Sequence, residues 1–288
     1  MTWFILSLLS ITSLAAAELI QQKVLKSGEG GVDERNSTVL TYLLPITLVF
    51  LFIMLTEYRT GFLSVFRREI FLYLALSSFT ASAGVYFYLK SFKTKNISFS
   101  LVFISLSSVV STMLGIIFFG ESTHFLKFVG IGLIIGSIAS LNYKNSRIEK
   151  NNLYGLIAGL FFGITFTLDK LIVLDTNPIV YLFWSFLLVT IGTFFLNPRA
   201  VIRTIKVIKF VEYKPLMISG LGFLLFNLFA FFAYTYGGEV GRVDAINNTE
   251  IFLVILAEFF IFKHKDDVKR KLLTAFIAFV GVLLLGVF

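Results

Sequence analysis

Cysteine is absent from the chain. Disulfides, thiolate nucleophiles and Cys-based metal centres are thereby excluded, and redox chemistry leaves no mark of compartment. Histidine is nearly as scarce: His124 and His264 each follow a hydrophobic segment, where a solvated loop position accounts for them. Charge is also thin, at 15% charged against 57% hydrophobic residues, whereas soluble domains carry about 25% charged and 45–50% apolar residues. The composition is that of an integral membrane protein. No H-E-x-x-H, no paired-Asp motif with ligand spacing and no Gly-rich phosphate loop occurs, so the common hydrolytic, metal-dependent and nucleotide-binding signatures are missing. No cofactor or metal is expected. Net charge is +8, yet Lys and Arg are scattered through short connectors, which argues for membrane topology and against a nucleic-acid partner.

What the chain has in plenty is hydrophobic runs. A membrane-crossing helix takes about 20 apolar residues, and this rule predicts segments at Thr2–Gln21, Thr38–Leu55, Ile70–Leu89, Ile97–Phe119, Phe125–Tyr143, Leu153–Val173, Ile179–Leu196, Leu216–Tyr236, Val240–Phe262 and Leu272–Phe288. The longest connectors, Gln22–Ser37 and Asn197–Pro215, are too short for a soluble domain. The first segment ends in small residues like a cleavable signal, but no Lys or Arg precedes Lys23, and it is expected to stay. Nineteen of the 25 Lys and Arg residues fall in connectors after odd-numbered segments. The positive-inside rule then puts those connectors in the cytoplasm and both termini outside.

The ninth segment, Val240–Phe262, is long enough to span a bilayer yet carries Arg242, Asp244, Asn247, Asn248, Glu250 and Glu258. Helical spacing places Asp244, Asn247 and Glu258 on one side, flanked by Asn248 and Glu250, with Arg242 pointing away. Asp244 and Glu258 lie near the ends, within snorkelling reach of water. Glu250 and Asn247 lie deeper, where a carboxylate is tolerated only against a bundle interior or wet cavity. In the fourth segment Ser100, Ser107 and Ser111 share a face with Ser108 at its edge. Close helix packing is the first reading of these hydroxyls, and lining the same cavity as Asn247 and Glu250 is the second. Glu18, Asp169 and Lys170 complete the charges inside hydrophobic segments, each close enough to a segment end to reach the interface. Pro45 is expected to kink the second segment, Asn227 is a lone amide in the eighth, and Gly132 and Gly136 form a G-x-x-x-G of the tight-packing type.

An internal repeat is legible. The run from Trp3 can be laid over that from Gly155, setting Glu18 against Lys170, and the run from Tyr88 over that from Tyr234, matching segments four and nine. Five helices per half is an odd number, so the copies must be inverted with respect to each other. Alternating-access transporters are built this way. The fold class predicted is an all-α membrane protein of ten transmembrane helices in two inverted five-helix repeats, residues 1–143 and 153–288 joined by a connector over 144–152.

Three stretches then resemble the ten-helix EamA-type branch of the drug/metabolite transporter superfamily: L-G-I-I-F-F-G-E-S-T-H-F-L-K-F-V-G-I-G-L-I-I-G from Leu114, L-I-A-G-L-F-F-G-I-T-F-T-L-D-K-L-I-V-L-D-T-N-P from Leu156, and the last two segments ending F-I-A-F-V-G-V-L-L-L-G. The resemblance implies a central cavity lined by both halves and secondary transport of small metabolites. Two positions depart from it: the ninth segment closes with Lys263, His264, Asp266 and Asp267 where a second Glu is usual, and Glu18 stands where a Lys is usual. Members are also drawn with cytoplasmic termini, opposite to the charge count. The function expected is secondary transport of an amino acid, amine or sugar through the bilayer of the cell, with protons as a coupling ion. Glu250, Asn247, Asn248, Asp244, Ser107 and Ser111 are the candidate binding residues, and Arg242, Lys170 and Glu18 the candidates for gating or coupling. A membrane-embedded enzyme on lipid-linked substrates and a non-transporting scaffold or sensor remain as alternatives.

Overall fold

Hydrocarbon offers backbone groups no water, so each N–H and C=O must be satisfied within its own segment, and long apolar runs fold as helices. The computed structural model describes residues 2–93, 97–144, 150–260 and 268–287, and among these it has thirteen α-helices and no strand. In order they are α1 (Thr2–Ser27), α2 (Ser37–Leu55), α3 (Arg68–Ser91), α4 (Ile97–Ile104), α5 (Leu106–Phe119), α6 (Phe125–Lys144), α7 (Lys150–Asp175), α8 (Pro178–Leu196), α9 (Pro198–Val207), α10 (Phe210–Thr235), α11 (Val240–Asn247), α12 (Glu250–Phe260) and α13 (Val268–Val287). Among the described residues seven stretches are long and apolar enough to cross a membrane: α1, α2, α3, Ser100–Phe119 within α4 and α5, Leu153–Asp175 within α7, α8 and α10.

The ninth segment is not one of the seven. It breaks after Asn247 into α11 and α12, each too short to span alone, through a tight turn in which Thr249 N bonds Ile246 O at 2.9 Å and Phe252 N bonds Thr249 O at 3.1 Å. Two connectors also hold more structure than their polar composition suggested. α1 runs on past Gln21 to Ser27, and Asn197–Pro215 contains the whole of α9 and the start of α10. α9 buries Val201 and Thr204 and turns Arg199, Ile202, Arg203, Ile205 and Lys206 outward. Thr204 Oγ1 donates to Gly31 O at 3.1 Å and accepts from Asn36 Nδ2 at 2.9 Å, pinning the helix to the α1–α2 connector.

Two antiparallel pairs form the middle of the bundle. α3 runs against α7, held by Arg67 Nη2 on Asp175 O at 2.8 Å, Ser77 Oγ on Asp169 Oδ1 at 2.6 Å and Thr165 Oγ1 on Thr80 Oγ1 at 2.8 Å. α1 runs against α10 in the same sense, with Ser10 Oγ donating to Phe226 O at 3.1 Å and Ser219 Oγ to Ala17 O at 3.0 Å. α2 packs on α8 and α6 on α13. Large apolar side chains such as Phe79, Ile117 and Phe195 face outward around the bundle, a surface suited to lipid.

The glycines that bring helices together are not those of the G-x-x-x-G motif. A Cβ at Gly132 or Gly136 would meet nothing within 4 Å. The close contact lies on α7, where a Cβ at Gly155, Gly159 or Gly163 would sit 2.9, 2.8 and 2.8 Å from the carbonyl oxygens of Ser100, Ile104 and Ser107. Pro45 stays inside an uninterrupted α2. It has no N–H for the Thr41 carbonyl, and Gly220 of α10 packs against that carbonyl, where no side chain would fit.

Candidate functional site

A cavity of about 100 Å³ lies where α1, α2, α3, the α4–α5 junction, α7, α8, α10, α11 and the start of α12 converge. Among the described residues its wall carries four carboxylates, Glu18, Asp169, Asp244 and Glu250, and no Lys, Arg or His. Apolar rings supply most of the remaining surface, among them Tyr42, Tyr88, Phe162 and Phe226.

The four carboxylates fall into two kinds. Asp244 is saturated: Ser107 Oγ donates to Oδ1 at 3.2 Å, Ser111 Oγ to Oδ2 at 2.9 Å and Asn248 Nδ2 to Oδ1 at 3.1 Å. Asn248 Nδ2 also reaches Ser108 Oγ at 2.7 Å, so the hydroxyl face of α5 is tied to α11. Asp169 is likewise served, by Ser77 at 2.6 Å and Tyr181 Oη at 2.5 Å. Glu18 and Glu250 lie against each other, and their donors run short. Tyr88 Oη donates to Glu18 Oε1, but Glu18 Oε2, Glu250 Oε2 and the neighbouring Asn247 Oδ1 are buried with no hydrogen-bond partner.

Of the residues singled out from sequence, Glu18, Asp244, Asn247, Asn248, Glu250 and Ser107 line the cavity, and Ser111 sits behind Asp244. Ser100 does not take part; its hydroxyl bonds Ser91 O at 3.0 Å. Glu18 and Asp169 were expected near the interface and are instead buried, at 0% and 3% exposure. Packing holds both inside the bundle: Tyr88 covers Glu18, and Ser77 and Tyr181 cover Asp169. Asp244 is held inside for the same purpose by its serines rather than snorkelling out. The side chain of Glu258 and residues Lys263, His264, Asp266 and Asp267 lie outside the described residues.

Lys170 and Arg242 sit apart from the cavity, in an ionic layer. Lys170 Nζ lies 3.1 Å from Glu121 Oε1, which also accepts from Val240 N at 2.7 Å, so that one carboxylate neutralises a buried lysine and caps the start of α11. Gly120, with φ of 62°, ends α5, and the Glu121 carboxylate folds back over Gly115, where a side chain would block it. Next to it Glu239 Oε2 pairs with Lys127 at 3.0 Å and Arg242 at 3.1 Å. Residue spacing missed Tyr88, Tyr181 and Ser77 as carboxylate partners. They are ordinary apolar-helix residues, and only the inter-helix register brings them to Glu18 and Asp169.

Residues 150–287 match the EamA-like transporter family. That match, over just under half of the chain, supports an EamA-type membrane protein. Members of that family are transporters and not enzymes, and the apolar helices fit an integral multi-pass membrane protein. No curated protein matches the chain by sequence. Among the solved structures, one described only as "Crystal structure of protein" superposes with a TM-score of 0.61 at 12% identity, covering 96% of this chain and 96% of its own. At that identity the likeness is one of fold.

Proposed function

We propose that this EamA-type protein is a secondary transporter of a small organic metabolite, such as an amino acid, amine or sugar, working by alternating access in the cell membrane. The observation that carries the reading is the cavity itself: a largely apolar chamber between the helices, with buried acceptors that nothing among the described residues satisfies. Unsatisfied polar groups at such depth are costly, and in membrane transporters they mark the solute path.

The architecture behind it is two inverted five-helix repeats, residues 1–143 and 153–288 around a connector over 144–152. Pairing supports this, since α3 with α7 and α1 with α10 exchange when the halves are swapped, while α2 with α8 and α6 with α13 map onto themselves. The family match over 150–287 coincides with the second repeat. In this scheme Glu250, Asn247 and Glu18 meet the cargo, Asp244 with Ser107, Ser111 and Asn248 forms the fixed wall beside it, and Lys170 and Arg242 belong to a gate at one end. Protons drive the cycle by exchange at Glu250.

The test is uptake of a mixed pool of amino acids, sugars and amines into proteoliposomes, read by mass spectrometry with and without an imposed proton gradient. Accumulation that depends on the gradient and disappears in Glu250→Gln is the expected result. Accumulation indifferent to the gradient removes the protons, and a protein that folds in liposomes and moves nothing removes the transporter.

A further inference from the structure

The cavity is short of one thing only, hydrogen-bond donors. Glu18 Oε2, Glu250 Oε2 and Asn247 Oδ1 are all acceptors, all buried and all without a partner, on residues exposed by 0%, 4% and 4%. The donors of Ser107, Ser111 and Asn248 are already committed to Asp244, those of Ser77 and Tyr181 to Asp169 and that of Tyr88 to Glu18 Oε1, while the Thr38 hydroxyl in the wall has no partner. No basic side chain lines the chamber to supply the missing donors, and the nearest buried lysine, Lys170, is held by Glu121. A ligand that completes this site therefore has to bring several N–H groups and a positive charge.

A metal ion would bring the charge alone. Among the described residues no three His, Cys, Asp or Glu side chains come together as a metal site. The rings of Tyr88, Phe162 and Phe226 beside the acceptors favour an organic cation over a hydrated inorganic one, since an aromatic face attracts a cation and covers its carbon skeleton.

We propose that the chamber is a primary-ammonium site, in which the three N–H groups of a protonated amine are received by Glu18, Glu250 and Asn247. The cargo of the transporter is then a primary amine, carried as its cation. This rests on the transport reading for the word cargo, but not for the site. Tyr88 fixes the Glu18 carboxylate through its other oxygen and leaves Oε2 for the ligand. Asp244, with donors on both of its oxygens, adds negative potential without competing for the N–H groups.

The decisive comparison uses the wild-type protein in detergent and two cations of equal charge, butylammonium with three N–H donors and tetramethylammonium with none. Saturable stabilisation against heat is expected with butylammonium, at an affinity at least tenfold above that for tetramethylammonium. Glu18→Gln and Glu250→Gln should each lower the butylammonium affinity tenfold or more, while Glu57→Gln, which removes an exposed carboxylate outside the chamber, should leave it within about threefold. Equal affinity for the two cations, or unchanged affinity in both Gln variants, overturns the site. Failure of the transport reading looks different: butylammonium binds as described, yet proteoliposomes neither accumulate nor exchange amines.

Discussion

The two ends of the bundle are closed by different chemistry. Where α5, α7 and α11 meet, the closing groups are ions: Glu121 with Lys170, and Glu239 with Lys127 and Arg242. At the opposite end, where α1 finishes and α2 and α10 begin, the buried closing groups are neutral, and the ion pairs there, Asp33 with Arg35 and Glu34 with Lys93, each keep their basic partner exposed. Gln21 donates to Ser37 and accepts from Ser219 at 2.9 Å and Thr41 at 3.3 Å, and Asn36 binds Thr204 at 2.9 Å. Both layers tie separate helices together, but a neutral hydrogen bond is easily exchanged for one with water, whereas a buried ion left without its partner is not. Such a difference makes one end a firm closure and the other a compliant one.

Substitutions can break this contrast, beginning with the largest effect. Lys170→Met strands Glu121 in the interior with a single backbone donor, and should cost about 3–5 kcal/mol, the range for breaking a buried pair from one side. A fall in thermal midpoint in mild detergent would register it, and adding Glu121→Gln to the same protein should recover a large part. If the double variant is no better than the single one, the pair is not what holds that end. At the neutral end Gln21→Ala deletes three hydrogen bonds, a loss of about 2 kcal/mol after water compensates in part; a drop as large as that of Lys170→Met would erase the distinction.

Access can be compared directly because the chain has no cysteine of its own. With Thr165→Cys placed in the cavity wall, labelling by a membrane-impermeant maleimide should quicken about tenfold on adding Lys170→Met, equivalent to about 1.4 kcal/mol in the opening equilibrium. Adding Gln21→Ala instead should change it by about threefold at most. The smallest effect belongs to Arg242→Gln: this pair is partly solvated, with side chains 26% and 24% exposed, and its loss should stay under about 1 kcal/mol.

Much of the architecture was legible from residue type alone, because a run of apolar residues in lipid has only one conformation available to its backbone. The polar stripe on the ninth segment was legible for the same reason: charges are rare enough there that each one carries information. What spacing could not give was partnership. Asp244 and Glu250 look alike in sequence, yet one is surrounded by serines from α5 and the other faces Glu18, and that contrast exists only once α1, α5 and α11 are packed. The break after Asn247 escaped detection because Asn248 and Thr249 carry no Pro or Gly to announce it. Glu18 and Lys170, matched in the repeat, illustrate the limit of symmetry. They occupy corresponding places, but Lys170 answers Glu121 in the ionic layer while Glu18 answers Tyr88 in the cavity.

The glycines of α7 bear on mechanics as well as on packing. Interlocking side chains resist axial sliding, because a displaced knob has to climb out of its hole before it finds the next. Along Gly155, Gly159 and Gly163 α7 puts no side chain into the contact: the carbonyls of Ser100, Ile104 and Ser107 come against bare backbone, together with Phe103 and Val110 from the facing helices. A displacement of α4 and α5 along this track meets knobs from one side only, so its friction is lower than between two helices with interlocking side chains. Between these helices the protein has a bearing where most helix pairs have a gear.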